Sequence, residues 1–263
     1  MEHRRISAKS IAEQLGISRK RVGSITHEDL DMRKLSAKWV PKCLNADHKR
    51  QRCQSSEQLL EFFRRYPNDF LSRLLTIDET WLCHYDPEIK QQSVEWRHNG
   101  SPCPKRFLVQ KSAGKVLTSI FWDEDGILLI DCLPKGQTIN AEYHQSLLVQ
   151  VKEKHRKFSK GVLFLHDNAP ALRVLVTQKN LAYLGFHSLD HTPYSPDLAL
   201  SNYHLFLGLK KQLKGLENSS DAEVIAVAET WLDGQTSDCF LSGLQKLEQR
   251  VKKCIELRGV YDE

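Results

Sequence analysis

Two apolar runs in this chain each end in an aspartate. Leu74-Leu75-Thr76-Ile77 leads into Asp78-Glu79-Thr80-Trp81, and Val162-Leu163-Phe164-Leu165 leads into His166-Asp167-Asn168. Short apolar runs of this kind, bounded by polar residues, read as buried strands. A carboxylate at the end of a buried strand is costly unless something compensates its charge. Any fold that keeps both strands must bring that compensation to both aspartates. A third position belongs to the pattern: Asn202, in Tyr194-Ser195-Pro196-Asp197-Leu198-Ala199-Leu200-Ser201-Asn202-Tyr203, stands 35 positions after Asp167. A pair of divalent cations about 4 Å apart is the usual compensation where nucleic acid is cut. Asp78, Asp167 and Asn202 are therefore the candidate catalytic and metal-ligating set, with an amide where a third carboxylate would be expected. His166 and Asn168 are candidate hydrogen-bonding supports for the ligands.

The surrounding pattern predicts a mixed order. Strands are expected at Leu74–Ile77, Val116–Trp122, Ile127–Leu133 and Gly161–His166, with Asp123-Glu124-Asp125-Gly126 as a hairpin turn. Asn140 can cap a helix through Leu147, Leu148 and Val151. Further helices are expected near Leu172–Leu184, ended by Gly185, near Asp221–Leu232 and near Ser242–Leu257, with a short strand at Phe186–Leu189. Leu59, Leu60, Phe62 and Phe63 suggest a helix packed on this domain, after a polar, basic connector over residues 31–56. Asp197, in a turn and helix start, is expected to bond its local backbone.

The chain has 263 residues, enough for one sizeable core and a small extra module. No apolar run approaches the ~20 residues of a membrane span, so no membrane partner is expected. Seven scattered cysteines, without a C-x-x-C pair, read as reduced thiols. Residues 1–65 hold fifteen Lys or Arg against eight Asp or Glu, an excess of seven positive charges; the remainder carries a net −2. A basic head on a near-neutral body suits attraction to phosphate.

That head reads as helix, turn, helix. Ser7 can cap a first helix with Ile11, Ala12 and Leu15 as its apolar stripe. Gly16 can take the positive φ of a tight turn. Ser18 can cap a second helix with Val22 and Ile25 facing inward. Ser18, Arg19, Lys20, Arg21 and Ser24 are then the candidate DNA-binding residues, since the second helix of such a unit enters the major groove. Pro41 biases Val40 away from helix in the connector segment Trp39-Val40-Pro41.

Several of these features together resemble one family. The Asp167–Asn202 spacing, with His166-Asp167-Asn168-Ala169 at one end and Tyr194-Ser195-Pro196-Asp197-Leu198 at the other, is similar to the catalytic domain of mariner-family transposases. Trp39-Val40-Pro41 resembles that family's linker motif. The resemblance runs from about Ile6 to the C-terminus. It implies an α/β, ribonuclease-H-like catalytic domain, a mixed sheet flanked by helices, over residues 71–263. It also implies a linker or clamp over 31–70 that supports a homodimer through Trp39, Val40 and Pro41, and a helix-turn-helix remnant over 1–30. The implied chemistry is Mg²⁺- or Mn²⁺-dependent phosphodiester hydrolysis followed by strand transfer. The implied partner is double-stranded DNA, the terminal inverted repeats of a transposon, and the implied location is the nucleus.

Several residues depart from the family pattern. Asn202 replaces an aspartate, Leu172 a histidine, and Thr192 and Leu200 prolines; Lys42-Cys43 stands where His-Glu is common. The Asp78–Asp167 interval is short for the family, as by a deletion around Lys154–Lys160. The family resembles itself in two helix-turn-helix units before the linker, of which only the second is visible here. The expectation is an N-terminally truncated copy with weak metal binding and impaired cleavage. Three functional readings stay open: a residual nuclease or transposase, a DNA-binding and dimerising protein without catalysis, and a relic without selected function.

Overall fold

The computed structural model describes residues 6–32, 43–65, 67–88, 111–154, 161–167, 174–189, 191 and 194–261. Trp39, Val40, Pro41, Lys42, Asn168, Leu172 and Thr192 lie outside the described residues, as do residues 155–160. Contacts divide the chain into two units, Met1–Val40 and Pro41–Glu263.

In the first unit, α1 (Ala8–Leu15) starts where the Ser7 side chain accepts the Ser10 N–H, and it ends at Gly16 with φ 65°. The Ser18 side chain accepts the Arg21 N–H at the start of α2 (Arg19–Ser24). Both caps and the glycine turn match the sequence reading. Ala12 and Val22 are buried between the helices. Leu15 is the correction: expected in the apolar stripe, it is 64% exposed. Only Ala12 of α1 is buried, so two short helices close over a single small residue. The sequence also gave no sign that α2 runs on into a π-helical turn, Ile25–Asp29. There Thr26 Oγ1 donates to the carbonyl of Val22 at 2.8 Å, a back-bond that loosens regular helix.

The second unit is built on a five-stranded sheet ordered β3-β2-β1-β4-β5. Its strands are β1 (Leu74–Cys83), β2 (Lys115–Trp122), β3 (Ile127–Leu133), β4 (Val162–Leu165) and β5 (Phe186–Leu189). β1, β2 and β3 are antiparallel neighbours, whereas β4 and β5 run parallel to β1. The β2–β3 turn is closed by Asp123, whose Oδ1 accepts the N–H groups of Asp125 and Gly126. Helices α3 (Ala46–Arg65), α4 (Pro67–Arg73), α5 (Ala141–Lys154), α6 (Leu175–Leu184), α7 (Phe206–Leu213), α8 (Asp221–Asp233) and α9 (Ser237–Glu256) complete the unit. This mixed sheet with flanking helices is the ribonuclease-H-like class expected.

Alternation along β1 sorts its side chains between two cores. Leu74 and Leu82 face a core with Ile120, Trp122 and residues of α3, α7, α8 and α9. Leu75 and Ile77 face a second core with Phe121, Leu147, Leu148 and Val151 under α5. Asp78 thus belongs to the first face and Glu79 to the second.

Three boundaries differ from the sequence reading. α3 occupies 46–56, which read as a polar connector, because its buried stripe includes the polar Arg52 and Ser56 beside Leu59, Leu60 and Phe63. α9 begins at Ser237, five residues early, since Phe240 in its first turn packs on Trp122 with ring centres 5.7 Å apart. Burying an aromatic of that kind stabilises by about 1.5–3 kcal/mol, enough to hold a turn that polar neighbours would leave frayed. β1 extends to Cys83 because it stays paired with β2 from Thr76↔Trp122 to Cys83↔Lys115.

Candidate active site

The parallel register brings the two aspartates together. Thr76 is opposite Leu165 across β1 and β4; Asp78 lies two residues further along β1 and Asp167 two residues past Leu165, just beyond the end of β4, close enough for the Asp167 charge to act on Asp78. Asp78 is partly buried and Asp167 is exposed at the strand end. Burial pushes the Asp78 carboxyl up from 3.8 to about 7, and the Asp167 charge adds to the rise. The Glu79 N–H, donating to Asp78 Oδ1 at 2.9 Å, pulls the other way.

Asn202 completes the group from a different element. It lies in a π-helical turn, Ser201–Leu205, that runs directly into α7. Its Nδ2 donates to Asp78 Oδ2 at 2.8 Å. The turn is held from three sides. Trp122 Nε1 donates to Ser201 Oγ at 2.9 Å, Tyr203 donates to the Gly243 carbonyl at 3.0 Å, and the His204 ring bonds the Cys239 carbonyl at 2.8 Å. π-turns of this sort are concentrated at functional sites. The widened turn is tertiary in origin; no residue of Ser201–Leu205 announces it.

Behind the aspartates, on the α5 face, lies a pair that the sequence reading missed. His144 of α5 is fully buried and sits with Nε2 3.7 Å from Glu79 Oε1, too long for a hydrogen bond. Among the described residues, Glu79 Oε1 and both ring nitrogens of His144 have no hydrogen-bond partner. Burial, then Asp167, then Asp78, push Glu79 from 4.5 to about 8, and burial lowers His144. A Glu directly after Asp78 and a His one turn into a helix were the available signals, but neither position marks a partner. His166, expected near the metal ligands, bonds its own neighbour's carbonyl and Ser188 Oγ, the latter at 2.8 Å.

Two crowded carboxylates of this kind fit a hard divalent cation, which binds oxygen and removes their mutual repulsion. The shift on Asp78 corresponds to on the order of 4 kcal/mol favouring the neutral form. A hydrogen bond to a charged group contributes about 1.5–3 kcal/mol, so the Asn202 amide alone does not replace a cation. Asp78 and Asp167 would hold it. Asn202 fits a ligand role poorly, because its N–H₂ faces the shared carboxylate and it adds no charge. Among the described residues no three His, Cys, Asp or Glu side chains converge as a metal cage.

Asp197 corrects an expectation. Instead of bonding local backbone, its carboxylate takes a two-pronged contact from the fully buried Arg52, at 2.9 and 2.5 Å. Arg52 also donates to Ser195 Oγ and to the Gly259 carbonyl, and its guanidinium lies over the Tyr261 ring. One cation thus ties α3, the turn before Asn202 and the C-terminal segment. An arginine on the apolar stripe of a helix was the signal for it. In the first unit Arg19, Lys20 and Arg21 are exposed along α2, and the Ser24 hydroxyl donates to Glu28, 2.6 Å away.

Comparison with known proteins identifies the family. A family described as "Transposase (partial DDE domain)" matches residues 86–164, a span that stops short of both aspartates. The Mariner Mos1 transposase of Drosophila mauritiana is 30% identical over 262 residues, covering 97% of this chain and 74% of that protein. The human histone-lysine N-methyltransferase SETMAR is 30% identical over 263 residues, covering 97% of this chain and 37% of that protein. The crystal structure of the Mos1 mariner paired end complex with Mn superposes with a TM-score of 0.81 at 29% identity, covering 98% of this chain and 76% of that one. A Mos1 paired end complex with Mg gives 0.79 at 30% identity, with the same coverage.

Proposed function

From the chain's membership of the mariner transposase family, we propose that it binds double-stranded DNA and retains a strand-cleavage site impaired at its third position. The carrying observation is the Asn202 amide donating to Asp78 at 2.8 Å. That bond holds the third position against Asp78, with a neutral donor in the place of a charged ligand.

In this reading Asp78 and Asp167 hold one Mg²⁺ or Mn²⁺ and a second ion is bound weakly. When bound, such a cation supplies Lewis acidity for in-line displacement at a phosphodiester. The chain's own residues set the site: β1 and β4 fix the two carboxylates side by side, and the anchored π-turn holds Asn202 against Asp78. The exposed Arg19, Lys20 and Arg21 of α2, with Ser18 and Ser24, contact DNA from the first unit. Trp39, Val40 and Pro41 contribute to a homodimer, transposon terminal inverted repeats are the preferred DNA, and the protein acts in the nucleus.

Nicking of supercoiled plasmid in Mg²⁺ and in Mn²⁺ tests this. Asn202→Asp should cut faster than the native chain, and Asp78→Ala in the Asn202→Asp background should not cut. Equal cutting by the native chain and Asn202→Asp would remove Asn202 as the lesion. Cutting that survives loss of Asp78 would remove the site.

A further inference from the structure

Lys210 lies on the helix that continues the turn carrying Asn202, and its side chain leans back along that helix toward the turn. The π-turn Ser201–Leu205 passes into α7 without a break, with Leu205 and Phe206 both in right-handed helical conformation. Helical side chains lean toward the N-terminus and lie over the preceding turn. Lys210 does so: its Nζ sits over the Phe206 ring, 5.9 Å from the centroid, one turn closer to Asn202 than its own Cα. Phe206 is buried, while Lys210 is exposed at its edge. Among the described residues, no carboxylate lies within ion-pair distance of Lys210. Its charge nevertheless reaches Asp78, whose ionised form it favours.

We propose that Lys210 binds a DNA phosphate next to the one presented to Asp78 and Asp167, and so positions the strand at the site. This rests on the DNA-cleaving reading above. The chemistry is that of a compact ammonium acting as a point charge on a phosphodiester. The site needs such a group, because Asp78 and Asp167 place two carboxylates where a polyanion must approach. Loss of the third carboxylate does not remove that need; a weakly held second cation increases it. A lysine in a last helical turn also favours the helix dipole. Lys211 shares that place on α7 but is rotated about 100° around the axis, so it separates the two roles.

The test uses the full chain with Lys210→Ala, Lys210→Arg and Lys211→Ala, each with native Asn202 and with Asn202→Asp. In EDTA, the affinity for a short random-sequence DNA duplex is measured against salt. Lys210→Ala should weaken binding about three- to tenfold and reduce the slope of log K against log salt by about one contact. Lys210→Arg should restore both, and Lys211→Ala should change neither. In the Asn202→Asp background, Lys210→Ala should raise KM for nicking more than it lowers kcat. An unchanged salt slope in Lys210→Ala, or an equal loss in Lys211→Ala, overturns the assignment. The two readings fail separately. If Asn202→Asp never cuts but Lys210→Ala still flattens the salt slope, strand cleavage falls and the phosphate contact stands. If Asn202→Asp cuts and Lys210→Ala matches it in KM and slope, the phosphate contact falls alone.

Discussion

Asp78 and Asp197 are two aspartates of one unit, and their surroundings differ in a single respect. Asp197 meets a cation inside the chain: the fully buried Arg52 grips both its oxygens. Asp78 meets an amide from Asn202 and the N–H of Glu79, with Asp167 nearby and Glu79 on the opposite face. The chain completes one carboxylate and leaves the other short of positive charge. Completed pairs hold segments together. A carboxylate that the fold positions yet leaves uncompensated is prepared for a charge from outside. The Arg52 cluster fixes the turn leading to Asn202, so the complete site supports the incomplete one.

The largest expected effect breaks the complete member. Arg52→Ala strands the half-buried Asp197 and opens a hole between α3 and the C-terminal segment. It should cost about 3–5 kcal/mol of stability in urea unfolding, with Arg52→Met plus Asp197→Asn recovering a good part. An Arg52→Ala chain as stable as the native one would dissolve the contrast.

The incomplete member should show the opposite sign. Asp78 and Glu79 have folded values raised from 3.8 and 4.5 to about 7 and about 8. The folded state therefore binds their protons more tightly than the unfolded state. Their contribution is fully present below about pH 4 and is lost as pH rises through about 7 and 8. In EDTA, Tm should fall across that window after allowance for other groups. Asp78→Asn and Glu79→Gln should each flatten the fall and raise stability at the alkaline end by roughly 1–3 kcal/mol. A flat native profile between those limits would show that neither group is strained.

A divalent cation should then repair what protonation repairs. Mn²⁺ should raise Tm of the native chain above about pH 8, where both carboxyls are ionised, and progressively less as protons compete below about pH 7. Asn202→Asp should bind Mn²⁺ about tenfold tighter, worth about 1.4 kcal/mol at saturating metal. Asp78→Ala should remove the shift; calorimetric scans with and without metal decide this independently of DNA cleavage.

The smallest effect concerns the support under Asn202. Ser201→Ala removes the acceptor of the Trp122 indole N–H and should cost about 1 kcal/mol. In the Asn202→Asp background it should also lower kcat for nicking by a few-fold, while leaving DNA affinity intact. A loss of stability without any change in kcat would show that the anchored turn is not what positions residue 202.

Much of this was readable from residues alone because the signals are local. Ser7 and Ser18 mark their helices by capping backbone N–H groups within three residues. Asp123 closes its hairpin, and Gly185 ends α6 with φ 81°. Asp78 and Asp167 stood out because a carboxylate ending an apolar strand contradicts its surroundings. What escaped depends on partners far along the chain. Asp197 read as a turn residue, yet its partner Arg52 lies 145 positions away. Leu15 read as part of an apolar stripe, yet among the described residues none covers it and it is 64% exposed.

The sequence by itself determined the strand order along the chain and most of its helices, though not Pro67–Arg73 or Phe206–Leu213, together with the two aspartates with an amide in third place and the family to which the chain belongs. Periodicity, caps and spacing are short-range properties, and they survive without a partner. The tertiary structure alone decided that parallel pairing of β1 with β4 sets Asp78 beside Asp167. It also decided that a π-turn anchored by Trp122, Gly243 and Cys239 aims the amide of Asn202 at Asp78, and that Glu79 faces His144 on the other side of the sheet. Those relations depend on register and on packing between distant segments, whose free energy exists only once the chain has closed upon itself.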